Sequence, residues 1–193
     1  MRRAGIKSAR GAVLICEGER NGAVPFERAE RLRRFEEEAV PHLADVYRLA
    51  RQMSDAQRAP DLTQETYLRA WRYYDSFERG TNCRSWLFRI LHNVWADHWR
   101  RARPESEGPD VESLAEPFYD WEEEFLSEEL SEELEEALGR LPEVYRWAVL
   151  LADVSELSYR EIAEVLGCPV GTVMSRVNRG RRALARLLRP ERV

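Results

Sequence analysis

The stretch 158–188, SYREIAEVLGCPVGTVMSRVNRGRRALARLL, contains two helical patterns separated by a tight corner. Ser158 is followed three residues later by Glu161, and this capping-box pair predicts that a helix begins there. Gly167 predicts the end of that helix, and the following Cys168 and Pro169 predict a short corner before a second helix. The stretch therefore predicts a helix-turn-helix.

The second helix of this stretch has a basic outer face. Between positions 160 and 189 the chain has seven arginines and only two glutamates. In a helix-turn-helix the second helix enters the major groove of DNA, where its early exposed residues reach base edges. The candidate DNA-contacting residues are Arg160, Thr172, Met174, Ser175, Arg176, Asn178, Arg179 and Arg181. The alternative is a solvated basic face on an ordinary helical hairpin, but cap, turn and basic helix in this order favour DNA binding.

The net charge of −5 and the pI near 5.5 argue against a protein that is basic over its whole surface. The acidic residues are concentrated, because positions 104–139 hold fifteen of them and no lysine or arginine. The rest of the chain has thirty basic against twenty acidic residues. We interpret 104–127 as an acidic flexible linker, with a DNA-mimicking or polymerase-channel role as the alternative to a plain solvated tether. Leucines at helical spacing predict that helix resumes from Leu126 onward.

The chain of 193 residues is long enough for two small domains. Apolar residues recur at intervals of three and four, so the sequence predicts an all-α fold with two helical domains joined by the linker. The predicted boundaries are 1–25 for an N-terminal extension, disordered or an over-long start, then 26–103, 104–127 and 128–193. No segment predicts a membrane helix or a secretory signal, so we expect a cytoplasmic protein that is monomeric when free.

The first domain contains three candidate helical stretches, over 26–52, from Pro60 and from Ser85. The third has an apolar stripe made of Trp86, Leu87, Ile90, Leu91 and Val94. Another face interleaves aromatic and basic residues, a mixture that suits single-stranded DNA because rings stack on unpaired bases. These aromatic residues are Phe88, His92, Trp95 and Trp99. The alternative is that the two tryptophans pack against the first helix.

The cysteines and histidines do not predict a metal site or a cofactor. Cys16, Cys83 and Cys168 are widely separated, and no two of the histidines His42, His92 and His98 share a helical face at ligand spacing. A redox effect at Cys83 is the alternative to a purely structural cysteine. A nucleic-acid-modifying enzyme would need an acid–base or metal constellation that the sequence lacks, and a conventional helix-turn-helix regulator would need a dimerisation or ligand domain. We therefore expect no enzymatic activity and keep the regulator as the alternative function.

Taken together, the motifs resemble a bacterial RNA polymerase sigma factor of the extracytoplasmic-function (ECF) group. DLTQETYLRAWRYYDSF from Asp61 resembles the family's core-polymerase-binding helix, and the following GTNCRSWLFRILHNVWADHWRR resembles its promoter-melting segment. GTVMSRVNRGRRAL resembles its recognition helix. The GTN and RGRR sequences are similar to those of the actinobacterial thiol-stress subgroup.

The resemblance implies a set of partners and residue roles. Core RNA polymerase would be bound by Asp61, Leu62, Gln64, Glu65 and Arg69. The opened minus-ten element, with one base flipped into loop 76–84, would be bound by Phe77, Asn82, Arg84, Arg89, Asn93, Trp95, Asp97, Trp99, Arg100 and Arg101. The helix-turn-helix would recognise the minus-thirty-five element of promoter DNA. The resemblance also implies a stress-responsive function and an anti-sigma partner, which can contain zinc and carry any redox switch.

Two positions depart from the family pattern. Pro60 and Asp61 stand where the family often has an acidic pair, and Met174 stands where a basic residue is frequent. Methionine cannot donate a bidentate hydrogen bond to a base, so specificity there would depend on its neighbours.

Overall fold

The computed structural model describes residues 25–54, 57–102 and 131–188, and these residues form eight α-helices and short turns with no β-strand. The prediction of an all-α fold is confirmed for this part of the chain. The described residues do not include the predicted extension before Pro25, the acidic linker, Cys16 or the helix start near Leu126. The side chain of Arg101 also lies outside them.

The N-terminal unit, residues 25–102, contains four α-helices. They are α1 (Pro25–Ala39), α2 (Leu43–Met53), α3 (Ala59–Tyr73) and α4 (Cys83–Ala102), with 3-10 turns at Val40–His42 and Tyr74–Ser76. The stretch predicted as one helix over 26–52 is thus two helices separated by a turn that contains Pro41. Proline has no backbone N–H to donate to the preceding turn, which explains the interruption.

The core of the N-terminal unit is aromatic on one side and aliphatic on the other. The Phe35 ring lies 5.3 Å from that of Trp71 and 5.2 Å from that of Tyr74, edge to face in both cases. Along α4, Leu87 and Leu91 are completely buried. Edge-to-face pairs contribute about 0.5–1.5 kcal/mol each beyond their burial, so this cluster fixes α1 against α3 and the turn that follows it.

The C-terminal unit, residues 131–188, contains the other four helices. They are α5 (Glu132–Gly139), α6 (Glu143–Val149), which continues into a π-helical turn at Leu150–Val154, α7 (Tyr159–Leu166) and α8 (Val170–Leu187).

Both ends of α7 have the predicted local structure. The backbone N–H of Ser158 donates to Glu161 Oε2 at 2.8 Å, and the backbone N–H of Glu161 donates to Ser158 Oγ at 3.3 Å. Gly167 follows α7 with φ +60°, a conformation that an L side chain disfavours. The predicted helix-turn-helix is therefore present, with α8 as its second helix.

The two units pack against each other and share one continuous hydrophobic core. Helix α7 lies against α4, and α5 and α6 lie against α2. Trp147 of α6 is the largest side chain in this contact, and its ring lies 5.6 Å from Trp95 and 5.1 Å from His92, both on α4. The N-terminal unit thus presents α4 to the C-terminal unit.

Candidate nucleic-acid interface

Helix α8 is anchored by apolar residues and presents polar residues to solvent. Val173 and Val177 are completely buried, or nearly so, against the rest of the C-terminal unit. Between them Met174 is 54% exposed. Arg160, Ser175, Asn178 and Arg179 are also exposed, whereas Thr172 is half-buried. Most residues predicted to contact the minus-thirty-five element therefore form one accessible face around the start of α8.

Two arginines of α8 already have partners within the protein. The guanidinium of Arg181 forms two hydrogen bonds with the carboxylate of Asp153, one of them from Nε at 3.0 Å, and this pairing raises the pKa of Arg181. Arg176 is half-buried, with Nη1 3.7 Å from Sγ of Cys168. These two side chains would have to leave or share their present contacts to bind DNA. Ser175 and Arg179 are exposed, and the Ser175 hydroxyl donates to the backbone oxygen of Thr172 at 2.8 Å.

On α4 the residues predicted to bind the minus-ten element divide by exposure. Arg89, Asn93 and Arg100 are exposed, and the indole of Trp99 is 49% exposed. Asp97 is half-buried and forms an ion pair with Arg100 at 3.2 Å. The accessible part of this helix therefore offers one aromatic surface with basic and amide groups beside it.

Trp95 does not belong to that accessible surface. Its side chain is only 8% exposed, and its indole N–H donates to the backbone oxygen of Met53 at 3.1 Å. Helix α4 is covered by α2 on one side and by the C-terminal unit on the other, so two of its aromatic residues, Phe88 and Trp95, are core residues. Trp95 is therefore packed in the core, as in the alternative to DNA contact, and its role as a base-stacking platform stays a prediction.

Two more predicted contact residues are buried. Leu62 on α3 is 3% exposed, so its side chain belongs to the core, and its contact with polymerase stays a prediction. Phe77, at the start of loop 76–84, packs with its ring 5.0 Å from that of Trp86 and 6.3 Å from that of Tyr74. Phe77 therefore anchors the loop to the core, and its role as a direct DNA contact stays a prediction.

The other two predicted residues of this region are bonded to the C-terminal unit. The side-chain oxygen of Asn82 accepts from the backbone N–H of Ser85 at 3.2 Å and thereby holds the start of α4. Its amide nitrogen donates to Glu161 Oε1 at 2.6 Å. The guanidinium of Arg84 donates to the backbone oxygen of Ser155 at 2.8 Å.

The predicted polymerase-binding residues of α3 and one minus-ten residue form a connected set of charges. Asp61 and Gln64 are exposed. Arg69 donates to Glu65 Oε1 at 2.7 Å and to Asp97 Oδ2 at 2.8 Å, so one guanidinium connects α3 to α4. This geometry joins the candidate polymerase surface to the candidate DNA surface through a single side chain.

The chemistry of Cys83 does not fit a redox sensor. Burial, and secondarily the charge of Glu38, raises the pKa of the Cys83 thiol to about 11. Because the thiolate is the reactive form, this thiol is nearly inert at neutral pH.

Within 25–54, 57–102 and 131–188, no three His, Cys, Asp or Glu residues are grouped so that they could hold a metal ion. Every helix in those ranges is too short or too polar to span a bilayer.

Sequence reasoning did not identify the contacts between the two units. Trp147, Glu135 and Ser155 all contact the N-terminal unit, and Glu161 does so in addition to its capping function. The only available signal was Trp147 itself, a large aromatic residue in the helix that precedes the predicted helix-turn-helix.

The chain is similar to families and proteins of known type. Residues 40–105 match the sigma-70 region 2 family, and residues 131–184 match the sigma-70 region 4 family. The chain is 42% identical over 134 residues to the ECF RNA polymerase sigma factor EcfG of Rhodopseudomonas palustris, covering 69% of this chain and 73% of that protein. It is 31% identical over 180 residues to the ECF RNA polymerase sigma factor SigW of Bacillus subtilis, covering 84% and 95%.

Solved structures agree with this similarity. The sigma factor RpoE of Bartonella quintana, crystallised with the anti-sigma factor NepR, superposes with a TM-score of 0.67 at 33% identity, covering 83% of this chain and 99% of that one. CnrH, solved with the cytosolic domain of CnrY, superposes with a TM-score of 0.60 at 26% identity, covering 83% and 93%. The chain belongs to the extracytoplasmic-function group of the sigma-70 family, the promoter-recognising sigma factors of RNA polymerase.

Proposed function

We propose that this sigma factor recognises the minus-thirty-five element through the start of α8. The observation that carries this proposal is the exposed face of α8, where Met174, Ser175, Asn178 and Arg179 surround a helix start held by buried Val173 and Val177. A helix held in this way can enter the major groove with its early residues at base edges, while later arginines hold phosphates. Specificity depends on Ser175, Asn178 and Arg179, because the Met174 thioether supplies no hydrogen-bond donor.

The minus-ten element is recognised by loop 76–84 together with the accessible face of α4. Asn82, Arg84 and Arg89 supply polar contacts near the loop, and Asn93 and Asp97 supply them along the helix. Trp99 is the exposed ring on which an unpaired base can stack, a contact that contributes about 1–3 kcal/mol. Arg100 and Arg101 follow Trp99 and bind the backbone of the opened strand.

Core RNA polymerase is bound by the polar face of α3. Asp61 and Gln64 are exposed there, and Glu65 and Arg69 are ordered by their mutual hydrogen bond. The polymerase supplies the chemistry of RNA synthesis, and this chain supplies promoter specificity. Domain boundaries follow from this division, with 26–103 for polymerase and minus-ten binding, 104–127 as the linker and 128–193 for minus-thirty-five binding.

An anti-sigma protein regulates this chain in response to stress. The support is that two similar solved proteins were obtained in complexes, RpoE with the anti-sigma factor NepR and CnrH with the cytosolic domain of CnrY. A zinc-containing partner and membership of the thiol-stress subgroup are finer predictions that rest on sequence resemblance alone. Co-purification of the chain from its native host, with metal analysis of the bound protein, tests both.

The test of the function is transcription of the host's genomic DNA by purified core polymerase with and without this protein, with mapping of the RNA start sites. We expect new start sites that share two upstream elements. Arg179→Ala should then weaken binding to duplex promoter by about 1–3 kcal/mol and leave core affinity unchanged. Glu65→Ala should weaken core affinity and leave duplex binding unchanged.

Two outcomes would contradict the proposal. If both variants lowered core affinity equally, the two surfaces would not have separate functions. If the protein bound duplex DNA but never bound core polymerase, a conventional helix-turn-helix regulator would replace the sigma-factor mechanism.

A further inference from the structure

Arg69 lies between two helices that have different proposed partners. Its Nε donates to Glu65 Oε1 on α3 at 2.7 Å, and its Nη1 donates to Asp97 Oδ2 on α4 at 2.8 Å. Only 22% of the Arg69 side chain and 31% of the Asp97 side chain are exposed. The guanidinium therefore fills the space between α3 and α4, and only a small part of it is accessible to a partner of α3.

The geometry of this contact fixes the carboxylate of Asp97. A guanidinium is planar and holds its N–H groups in a rigid fork, so two carboxylates bound to it keep a fixed relative position. Glu65 precedes Arg69 by about one helical turn and orients the guanidinium from the same helix. One oxygen of Asp97 is thereby held by a charge-assisted hydrogen bond, which is stronger than a bond between neutral groups.

The second oxygen of Asp97 has a partner that is more easily replaced. Asp97 Oδ1 lies 3.2 Å from Nη2 of Arg100, whose side chain is 77% exposed. An ion pair with so exposed a partner contributes little, so Arg100 can turn to a phosphate while the bond to Arg69 persists. A carboxylate has about four lone-pair sites, so Oδ1 can accept from the amino group of a base while Oδ2 stays bound to Arg69.

We propose that Arg69 is a positioning residue for minus-ten recognition, in addition to its place on the polymerase-binding face of α3. It orients the carboxylate of Asp97 toward an unpaired base that carries an amino group, which is cytosine or adenine. The inference rests on the proposed assignment of Asp97 to the minus-ten element. A side chain that is ordered before DNA arrives loses less conformational freedom on binding, and the positive charge of Arg69 offsets the repulsion between the carboxylate and the phosphates.

The test measures binding of the opened strand to holoenzyme that is assembled from the full chain with saturating core polymerase. Core affinity is measured first for each variant, so that its change does not enter the comparison. The probe is a fluorescent non-template-strand oligonucleotide from a promoter mapped by the transcription test. A set of further probes carries an abasic site at each minus-ten position in turn, and fluorescence anisotropy gives the affinity for each probe. The abasic site that weakens binding of the wild type but not of Asp97→Ala identifies the base that Asp97 contacts.

We expect that base to contribute about tenfold to the affinity of the wild type, near the low end of the range for a direct base contact. Arg69→Gln should reduce its contribution to about threefold, because the DNA itself must then order the carboxylate. The contributions of the other bases should not change. In the Asp97→Ala background, Arg69→Gln should cause no further loss of affinity for the intact strand, since the two residues act as one unit.

Two more variants separate positioning from a general effect of charge or folding. Arg69→Lys keeps the positive charge but not the rigid fork, so it should retain an intermediate contribution of the same base. Arg72→Gln is the matched control, because it makes the same charge change as Arg69→Gln at an exposed position of α3. It should leave the contribution of that base at the wild-type value.

The inference would be overturned if Arg69→Gln kept the full contribution of the base, or weakened binding equally at every position. A loss that persisted undiminished in the Asp97→Ala background would mean that Arg69 acts on the DNA by another route. If no abasic site distinguished the wild type from Asp97→Ala, Asp97 would not contact a base and could not be positioned for one. A wild-type chain that failed to bind core polymerase would refute the proposed function itself, and the initial measurement of core affinity distinguishes that failure from the others.

Discussion

Gly180 lies in the middle of α8, at the place where α8 crosses α6, and its replacement by alanine tests the packing of the helix-turn-helix. A Cβ atom at this position would lie 2.5 Å from Val149 Cγ2 and 3.2 Å from the backbone oxygen of Tyr145. Carbon atoms in favourable contact are separated by about 3.5–4.0 Å. The new methyl group would therefore overlap a buried side chain by about 1 Å, and the backbone oxygen beside it limits how far α8 can shift.

Two opposing effects determine the outcome of Gly180→Ala. Alanine is favoured over glycine in a helix interior by about 1 kcal/mol. Insertion of a methyl group into a well-packed core costs about 1–3 kcal/mol, and the short distance to Val149 places this position in the upper part of that range. The expected result is a net loss of about 1–2 kcal/mol in the free energy of unfolding. For a chain of this size each kcal/mol lowers the melting temperature by roughly 2–4 °C.

The assay is urea unfolding followed by far-ultraviolet circular dichroism, with Gly171→Ala as the control. Gly171 lies on the same helix, and a Cβ atom there has no neighbour within 4 Å, so its replacement should leave stability unchanged or raise it. Val149→Ala should remove the overlap, so the double variant with Gly180→Ala should be more stable than the sum of the single effects predicts. If Gly180→Ala alone unfolded at the same or higher urea concentration than wild type, the inferred close approach of α6 and α8 would be wrong.

Three further predictions concern groups in and near the interface. Burial, and then the charge of Arg176, lowers the pKa of His92, so the unfolded state binds more protons and the free energy of unfolding should fall as pH decreases below about 6.5. His92→Gln should reduce this dependence of stability on pH but not abolish it, because burial also lowers the pKa of His42. An unchanged pH dependence would contradict the inference that His92 is buried as a neutral group. Cys83, with its pKa of about 11, should react with iodoacetamide at pH 7.5 much more slowly in the native than in the urea-unfolded protein, and equal rates of modification, measured by mass spectrometry, would refute its burial. Trp95→Phe removes a buried indole hydrogen bond and should lower the free energy of unfolding by about 1–3 kcal/mol, whereas an unchanged urea midpoint would mean that this bond contributes nothing.

The helix-turn-helix could be predicted from the sequence because local interactions determine it. Ser158 and Glu161 are three residues apart and cap the same helix end, and Gly167 supplies the left-handed conformation that ends the helix. Such features act within one turn of the chain, so their residue types and spacing identify them. The exposed positions of α8 follow from the same helical period.

The predicted site residues that lie buried in the structure owe their burial to contacts between distant parts of the chain. The pattern of α4 was interpreted as one buried stripe with an accessible opposite face, but α4 packs against α2 on one side and α7 on the other. Trp95 is buried between Met53 of α2 and Trp147 of α6, contacts that helical periodicity alone could not show. Leu62 and Phe77 were assigned by position in a motif, which identifies the segment that contacts a partner but not the orientation of each side chain within it.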